Sequence, residues 1–413
     1  MASVEPRRVV VTGMGVKAPG GNDIDAFWRT LLAAEATAAG PVERVDATAW
    51  PVGFACEVKG FDPEQYVEAK EVRRTDRVAL LGLGAATDAL KQAGNLGVDP
   101  ARIGVVAGTG VGGLETQERE EIVVYEKGPT RVSPFLVPMM MANATAATVS
   151  MAHGFRGPNL CVATACAAGT NAIGEAAHMI RYGSADAIVA GGSEAAITTV
   201  AMAAFARMGA LSTRRDHPAS ASRPFDASRD GFVMGEGAAF LVLETYENAV
   251  ARGATILGEI LGYGRNADAH HITAPSPDGA GAINCMELAL ADAGLAPDAI
   301  GHVNAHGTST PLNDAAEAAA IYKVFSGSPP PVVSTKGVTG HLIGAAGAVE
   351  AVAALLAIRD GLVPPTANHT ERGEGIEIDV VHGTPREVAP APALSNSFGF
   401  GGHNASLVLG PAA

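Results

Sequence analysis

Ala289-Leu290-Ala291-Asp292-Ala293-Gly294 runs through Pro297 into Ile300-Gly301-His302-Val303-Asn304-Ala305-His306-Gly307-Thr308. Far upstream the same order appears as Ala89-Leu90-Lys91-Gln92-Ala93-Gly94, Pro100, then Ile103-Gly104-Val105-Val106-Ala107-Gly108-Thr109. Each passage reads as a helix, a glycine cap, a proline-bearing loop, a buried strand and a Gly-Thr turn. A repeated helix–strand unit implies a duplicated architecture; chance likeness of two Ala/Gly-rich helices is the competing account. Outward from this pair, strands are predicted at 8–13, 103–109, 186–192, 238–244, 256–263, 301–305, 331–335 and 403–409. Helices are predicted at 24–34, 76–93, 167–182, 280–293, 314–325 and 345–359. The strands are short and β-branched, as strands buried on both faces between helix layers must be. The fold class is α/β, with two related halves, about 1–252 and 253–413, stacked in layers.

Composition agrees. Of 413 residues, 47% are hydrophobic and only 17% charged, with 50 glycines, which suits tightly packed layers. The formal net charge of −14, with no basic run, argues against nucleic acid as a partner. Cys56, Cys161, Cys166 and Cys285 show no metal-like or redox-motif spacing, as expected of a reduced, cytoplasmic protein. Met1–Arg8 reads as a short exposed lead rather than a signal peptide. The apolar stretch Ala345–Ile358 carries Glu350 and is too short to span a bilayer, so no membrane association is expected.

Three stretches carry chemistry. In Val162-Ala163-Thr164-Ala165-Cys166-Ala167-Ala168-Gly169, a strand runs into a helix and places a thiol at the helix N-terminus. Unpaired N–H groups and the helix dipole there favour a thiolate and a developing oxyanion. Taken alone, Cys166 could equally be a small core residue, and Cys161 is read as core. Two histidines shift that balance. His306 follows a buried strand, where α/β folds concentrate their sites. His341 ends Lys336-Gly337-Val338-Thr339-Gly340-His341 and precedes a glycine-rich turn into a helix. Two neutral imidazole N–H donors could hold the oxygen of a thioester enolate in a dry cleft.

A metal site is the rival reading, and the pair lacks a third ligand at suitable spacing. His270-His271 beside Asp268 reads as a surface loop. Lys336 and Glu350 could form a buried ion pair next to His341, or be surface charges. The glycine-rich runs Gly108–Gly113 and Gly399–Gly402 are weak nucleotide-binding fingerprints, better suited to close backbone approach.

Together these motifs resemble the β-ketoacyl-[acyl-carrier-protein] synthase family of condensing enzymes, thiolase superfamily, most closely the elongating type II form. The likeness extends through Arg223-Pro224-Phe225-Asp226-Ala227-Ser228-Arg229-Asp230-Gly231-Phe232-Val233-Met234-Gly235-Glu236-Gly237 to Asn396-Ser397-Phe398-Gly399-Phe400-Gly401-Gly402. The resemblance implies a thiolase-like duplicated five-layer αβαβα sandwich and a dimer, of like or related chains. It implies Cys166 as nucleophile, His306 and His341 as the catalytic histidines, and Lys336 and Glu350 as their support. By the same likeness Phe398 is the gating residue, and its N–H joins that of Cys166 in an oxyanion hole. Thr308 and Thr310 would meet a pantetheine arm. Val111, Phe135, Phe205 and Phe400 would contact substrate, with Phe135 reaching in from a partner subunit.

The implied reaction is a decarboxylative condensation of a malonyl-carrier with an acyl-cysteine, in fatty acid or polyketide synthesis. It needs no dissociable cofactor and no metal, because phosphopantetheine arrives on the acyl carrier protein. Lys70, Arg73, Arg74 and Arg131 are the candidate docking patch for that acidic carrier; a solvated helix face is the plainer account. Thiolases use a second, C-terminal cysteine and initiating synthases an asparagine in the third motif, so both are disfavoured. The alternative function is a non-catalytic, chain-length partner subunit, which Cys166 argues against. Departures from the common pattern are Ala167-Ala168, Gly337 and His403.

Overall fold

The computed structural model describes residues 6–38, 40–50 and 52–412; the first five residues of the lead read over Met1–Arg8 lie outside them. Ten strands form one array. The first five are β1 (Val9–Lys17), β2 (Ile103–Gly108), β3 (Asn159–Val162), β4 (Ala187–Glu194) and β5 (Gly237–Thr245). The next three are β6 (Gly258–Ala267), β7 (His302–Asn304) and β8 (Val332–Val333). A small ladder of β9 (Leu362–Val363) and β10 (Arg386–Glu387) stands apart, and β11 (Ala393–Gly399) and β12 (His403–Gly410) complete the array.

The order across the array is β3-β2-β4-β5-β1-β6-β12-β11-β7-β8. Counted within each half, both read third, second, fourth, fifth, first from the outer edge to the seam. Strand directions also match. β2 is parallel to β3 and β4, and β5 is antiparallel to β4 and β1. β7 is likewise parallel to β8 and β11, and β12 is antiparallel to β11 and β6. The halves meet where Val10 and Val11 pair with Glu259 and Gly258. The repeat seen in the sequence is thus a repeat of topology: its two strands are β2 and β7.

The helices of the repeated passages, Arg77–Ala93 and Ala280–Ala293, cover equivalent outer faces, on β1/β5 and on β6/β12. Two further helices, Ala168–Arg181 and Ala346–Asp360, lie between the halves and touch strands of both. The layers are therefore helix, sheet, helix, sheet, helix. This explains why Ala346–Ile358 is buried on every side. A helix apolar all round belongs in an inner layer, and among the described residues no helix is long and apolar enough to cross a membrane.

Two strands differ from expectation. β11 reads in sequence as a polar, glycine-rich turn, yet Ser395, Asn396 and Ser397 are wholly buried. Their side chains are satisfied internally: Ser397 shares a hydrogen bond with Thr170 at 2.7 Å, and the Asn396 amide oxygen accepts from Ser406 at 2.8 Å. β3 stops at Val162, before the nucleophile motif. The helix predicted from 314 begins earlier, at Pro311, with Thr310 as its cap.

Candidate active site

Cys166 occupies a single helical turn, Ala165–Ala167, that leads into the central helix Ala168–Arg181. Ala165 holds φ at +49°, a left-handed turn that folds the chain sharply from β3 into the helix. Gly399 permits this packing. A Cβ there would lie 2.9 Å from the Thr164 carbonyl oxygen and 3.0 Å from the Cys166 nitrogen.

His341 is fixed by backbone pairing with the Phe232–Gly235 segment. Its N–H donates to the Val233 carbonyl at 2.7 Å, and its carbonyl accepts from the Gly235 N–H at 2.9 Å. The imidazole Nε2 then lies 3.0 Å from Cys166 Sγ. His306 leaves the C-terminal end of β7, and its ring stands edge-on to that of His341, 5.3 Å between centroids. Its backbone is held from below by Glu317, whose carboxylate accepts the N–H groups of His306 and Gly307, each at 2.7 Å. Glu317 was not singled out in the sequence. It lies nearly two turns inside the alanine-rich helix Pro311–Val324, and nothing in its spacing marks it.

One cavity of about 420 Å³ is lined by Cys166, His306, His341, Thr308, Thr310, Phe205, Phe398 and Phe400, together with Phe232 and Ile343. The two threonine hydroxyls share a hydrogen bond at 3.0 Å. Phe398 packs its ring against His306, and Phe400 packs against Phe205. Val111 and Phe135 do not line this cavity: Val111 is half-exposed and Phe135 lies at the surface beneath the Arg74 guanidinium. Lys70 and Arg74 are exposed but paired with Glu68 and Glu71, and Arg131 is exposed.

The sequence placed the N–H of Phe398 beside that of Cys166 in an oxyanion hole; at the sulfur itself a neighbouring residue supplies the backbone donor. The N–H of Phe400, not of Phe398, reaches Cys166. β11 extends through Gly399, so Phe398 belongs to the ladder opposite Asn404, while Phe400 lies in the hairpin turn. The thiol also differs. Burial dominates and pushes it up to about 12, while the Lys336 charge and the N–H of Phe400 pull the other way. Burial thus works against the helix N-terminus at this sulfur.

Beneath the histidines, Lys336 and Glu350 form an ion pair, both almost wholly buried. Burial raises Glu350 to about 7, with Lys336 opposing. Gly337 is required because a Cβ would lie 2.8 Å from the Ala367 carbonyl oxygen. Burial, and then the Lys336 charge, hold both His306 and His341 well below the ordinary imidazole value. Neither Nδ1 has a protein partner, so the neutral tautomer with hydrogen on Nε2 is open to each. Malonyl decarboxylation should therefore show no imidazole inflection near pH 6.5. Both rings are held well below that value, so neither gains its proton as the pH passes through 6.5. A rate that falls through pH 6.5 with fixed substrate would contradict neutral donors.

The N-terminal β-ketoacyl synthase domain model matches residues 6–249, and the C-terminal model matches 257–370. The chain belongs to the β-ketoacyl synthase family. As a member it is a condensing acyltransferase with a thiolase-like fold. It is 48% identical to the 3-oxoacyl-[acyl-carrier-protein] synthase 2 of Vibrio cholerae, over 98% of this chain and 99% of that one. The enzyme of the same name from Synechocystis sp. is 46% identical, covering 99% of each. Among solved structures, the ishigamide ketosynthase/chain length factor superposes with a TM-score of 0.92 at 36% identity, over 99% of this chain and 100% of that one.

Proposed function

We propose that this β-ketoacyl synthase elongates acyl chains held on an acyl carrier protein, with the acyl-enzyme formed on Cys166. The observation that carries the reading is the thiol 3.0 Å from His341 Nε2 inside the cavity that His306 shares. In the first half-reaction Sγ, beside the Nε2–H of His341, attacks the carrier thioester, and the thiol proton goes to the departing carrier sulfur. The N–H groups of Cys166 and Phe400 receive the oxyanion. Collapse expels the carrier sulfur, which takes up that proton and leaves as a thiol.

In the second, a malonyl-carrier loses carbon dioxide, and the electron pair of the broken C–C bond becomes an enolate. The Nε2–H groups of His306 and His341 hold its oxygen. The carbanion attacks the acyl-cysteine, a C–C bond forms, the C–S bond breaks, and Cys166 leaves as a thiolate that takes a proton from solvent. The product is a β-ketoacyl-carrier. This sequence calls on no dissociable cofactor and no metal. Lys336 and Glu350 act as the charged support of both rings, Phe398 and Phe400 border the passage, and Thr308 and Thr310 meet the pantetheine arm. Phe205 contacts the acyl chain.

A second subunit, a copy or a related chain, completes the acyl chamber. Support comes from β3, an edge strand with Leu160 45% exposed, and from exposed Val137, Met141 and Met151 nearby in sequence. An apolar sheet edge of this kind invites pairing. Phe135 lies outside its own cavity, as a residue given to a partner would. The domain division at about 252/253 and a cytoplasmic location complete the reading.

Purified protein incubated with a series of acyl-carriers is expected to gain the mass of each acyl group, and no mass gain with any chain would sink the proposal. If Lys70, Arg73, Arg74 and Arg131 dock an acidic carrier, its KM should rise with added salt, because exposed charges are screened within about 10 Å at 0.1 M. A KM unmoved by salt removes the patch from the model of docking.

A further inference from the structure

Glu194, the last residue of β4, is wholly buried, yet its carboxylate is held by neutral donors. Oε2 accepts the N–H of Gly110 at 2.6 Å and the N–H of Gly344 at 3.0 Å. Oε1 accepts the Thr109 hydroxyl at 3.0 Å, and that hydroxyl in turn accepts the Gly112 N–H at 3.1 Å. The N–H of Val111 also bears on it. One carboxylate thus ties together two turns from opposite halves of the fold, Thr109–Gly112 and Ile343–Gly344.

These turns flank the nucleophile. Ile343 lines the cavity with Cys166 and belongs to the same apolar cluster. Its φ of +48° is a left-handed conformation that a β-branched residue adopts only when its surroundings impose it. The side chain lies against Gly110: a Cβ there would stand 2.8 Å from Ile343 Cγ2 and 2.8 Å from Glu194 Oε2. The backbones are nearly as close, since a Cβ on Gly344 would come within 2.3 Å of the Gly110 nitrogen. His341, by contrast, is anchored separately, through Val233 and Gly235.

We propose that Glu194 is a positioning residue that, by tying the turn at Gly110 to the turn at Gly344, fixes Ile343 in the wall of the acyl chamber and so sets which acyl chains Cys166 accepts. The proposal rests on the acyl-cysteine reading above. A short acyl group ends before this wall. A long one must lie along it, and a wall free to relax from its strained backbone no longer presents one shape.

The test measures Cys166 acylation with butanoyl- and dodecanoyl-carriers, and malonyl decarboxylation separately, in Glu194→Gln. The amide replaces an acceptor oxygen with a donor that faces other N–H groups. Dodecanoyl transfer should fall at least about tenfold relative to butanoyl, as displacement of a substrate-positioning wall does, while decarboxylation holds within about twofold because the anchors of His341 are untouched. Thr109→Val removes one donor and keeps the carboxylate; it should shift the same ratio less, and it decides the matter if Glu194→Gln does not fold. An unchanged long-to-short ratio in the folded variant, or an equal fall in both half-reactions, overturns the proposal. Wild-type protein that takes no acyl group at all would instead sink the reading beneath it.

Discussion

Cys166→Ala is expected to abolish acyl transfer to the protein and to lower condensation by about 10⁴-fold or more, because no other thiol lines the cavity among the described residues. The other cysteines do not substitute. Cys56 and Cys285 are buried, and Cys161 sits on β3 with its sulfur donating to the Ala142 carbonyl. Fold stability should change by no more than about 1 kcal/mol, since only a sulfur at a cavity wall is lost. Decarboxylation of malonyl-carrier should continue at a measurable rate, because the donors on His306 and His341 do not depend on the thiol. That combination separates a condensing enzyme from a subunit that only shapes a partner's pocket. For the latter, intact-mass and condensation measurements on the variant would match the wild type.

The sequence showed the frame of this fold more clearly than its interior contacts. Helices capped by Gly94 and Gly294, each followed by a strand, predicted a repeat, because periodicity and caps are local properties of the chain. His306 and His341 were visible for the same reason: each follows a strand-and-turn signal. Three features were not local. Whether Phe398 or Phe400 offers its N–H depends on where β11 yields to a turn, which two phenylalanines two residues apart cannot disclose. Whether the Cys166 thiol is lowered or raised depends on a contest between helix N-terminus and burial, and burial is set by Phe232, Ile343 and the two histidines arriving from elsewhere. Glu194 and Glu317 end a strand and occupy a helix without any pattern that distinguishes them. Each became informative only once its carboxylate was seen to gather N–H groups from another part of the chain. Buried acids that organise backbone are a tertiary property.

Lys336→Met tests the most costly contact in the site. The methionine keeps the length of the aliphatic stem but leaves Glu350 buried without its cation, and its second oxygen already lacks a protein partner. Breaking a buried pair from one side costs about 3–5 kcal/mol, so thermal unfolding should shift down by several degrees. The effect has a sign in pH. Glu350 is raised to about 7 even with Lys336 present, so the folded state binds its proton more tightly than the unfolded chain does. Stability from that proton is complete below the ordinary carboxyl value and is lost as pH rises through the folded one. Without Lys336 the folded value moves higher still, and the loss continues to higher pH. The gap in Tm between variant and wild type should therefore widen from pH 6 to pH 8. Condensation should fall together with stability, since the same charge adds to burial in holding both imidazoles neutral and opposes the upward push of burial on the Cys166 thiol. A Lys336→Met protein with wild-type Tm at pH 8 would show that Glu350 finds another partner, and the ion pair would then lose its place in the account of the site.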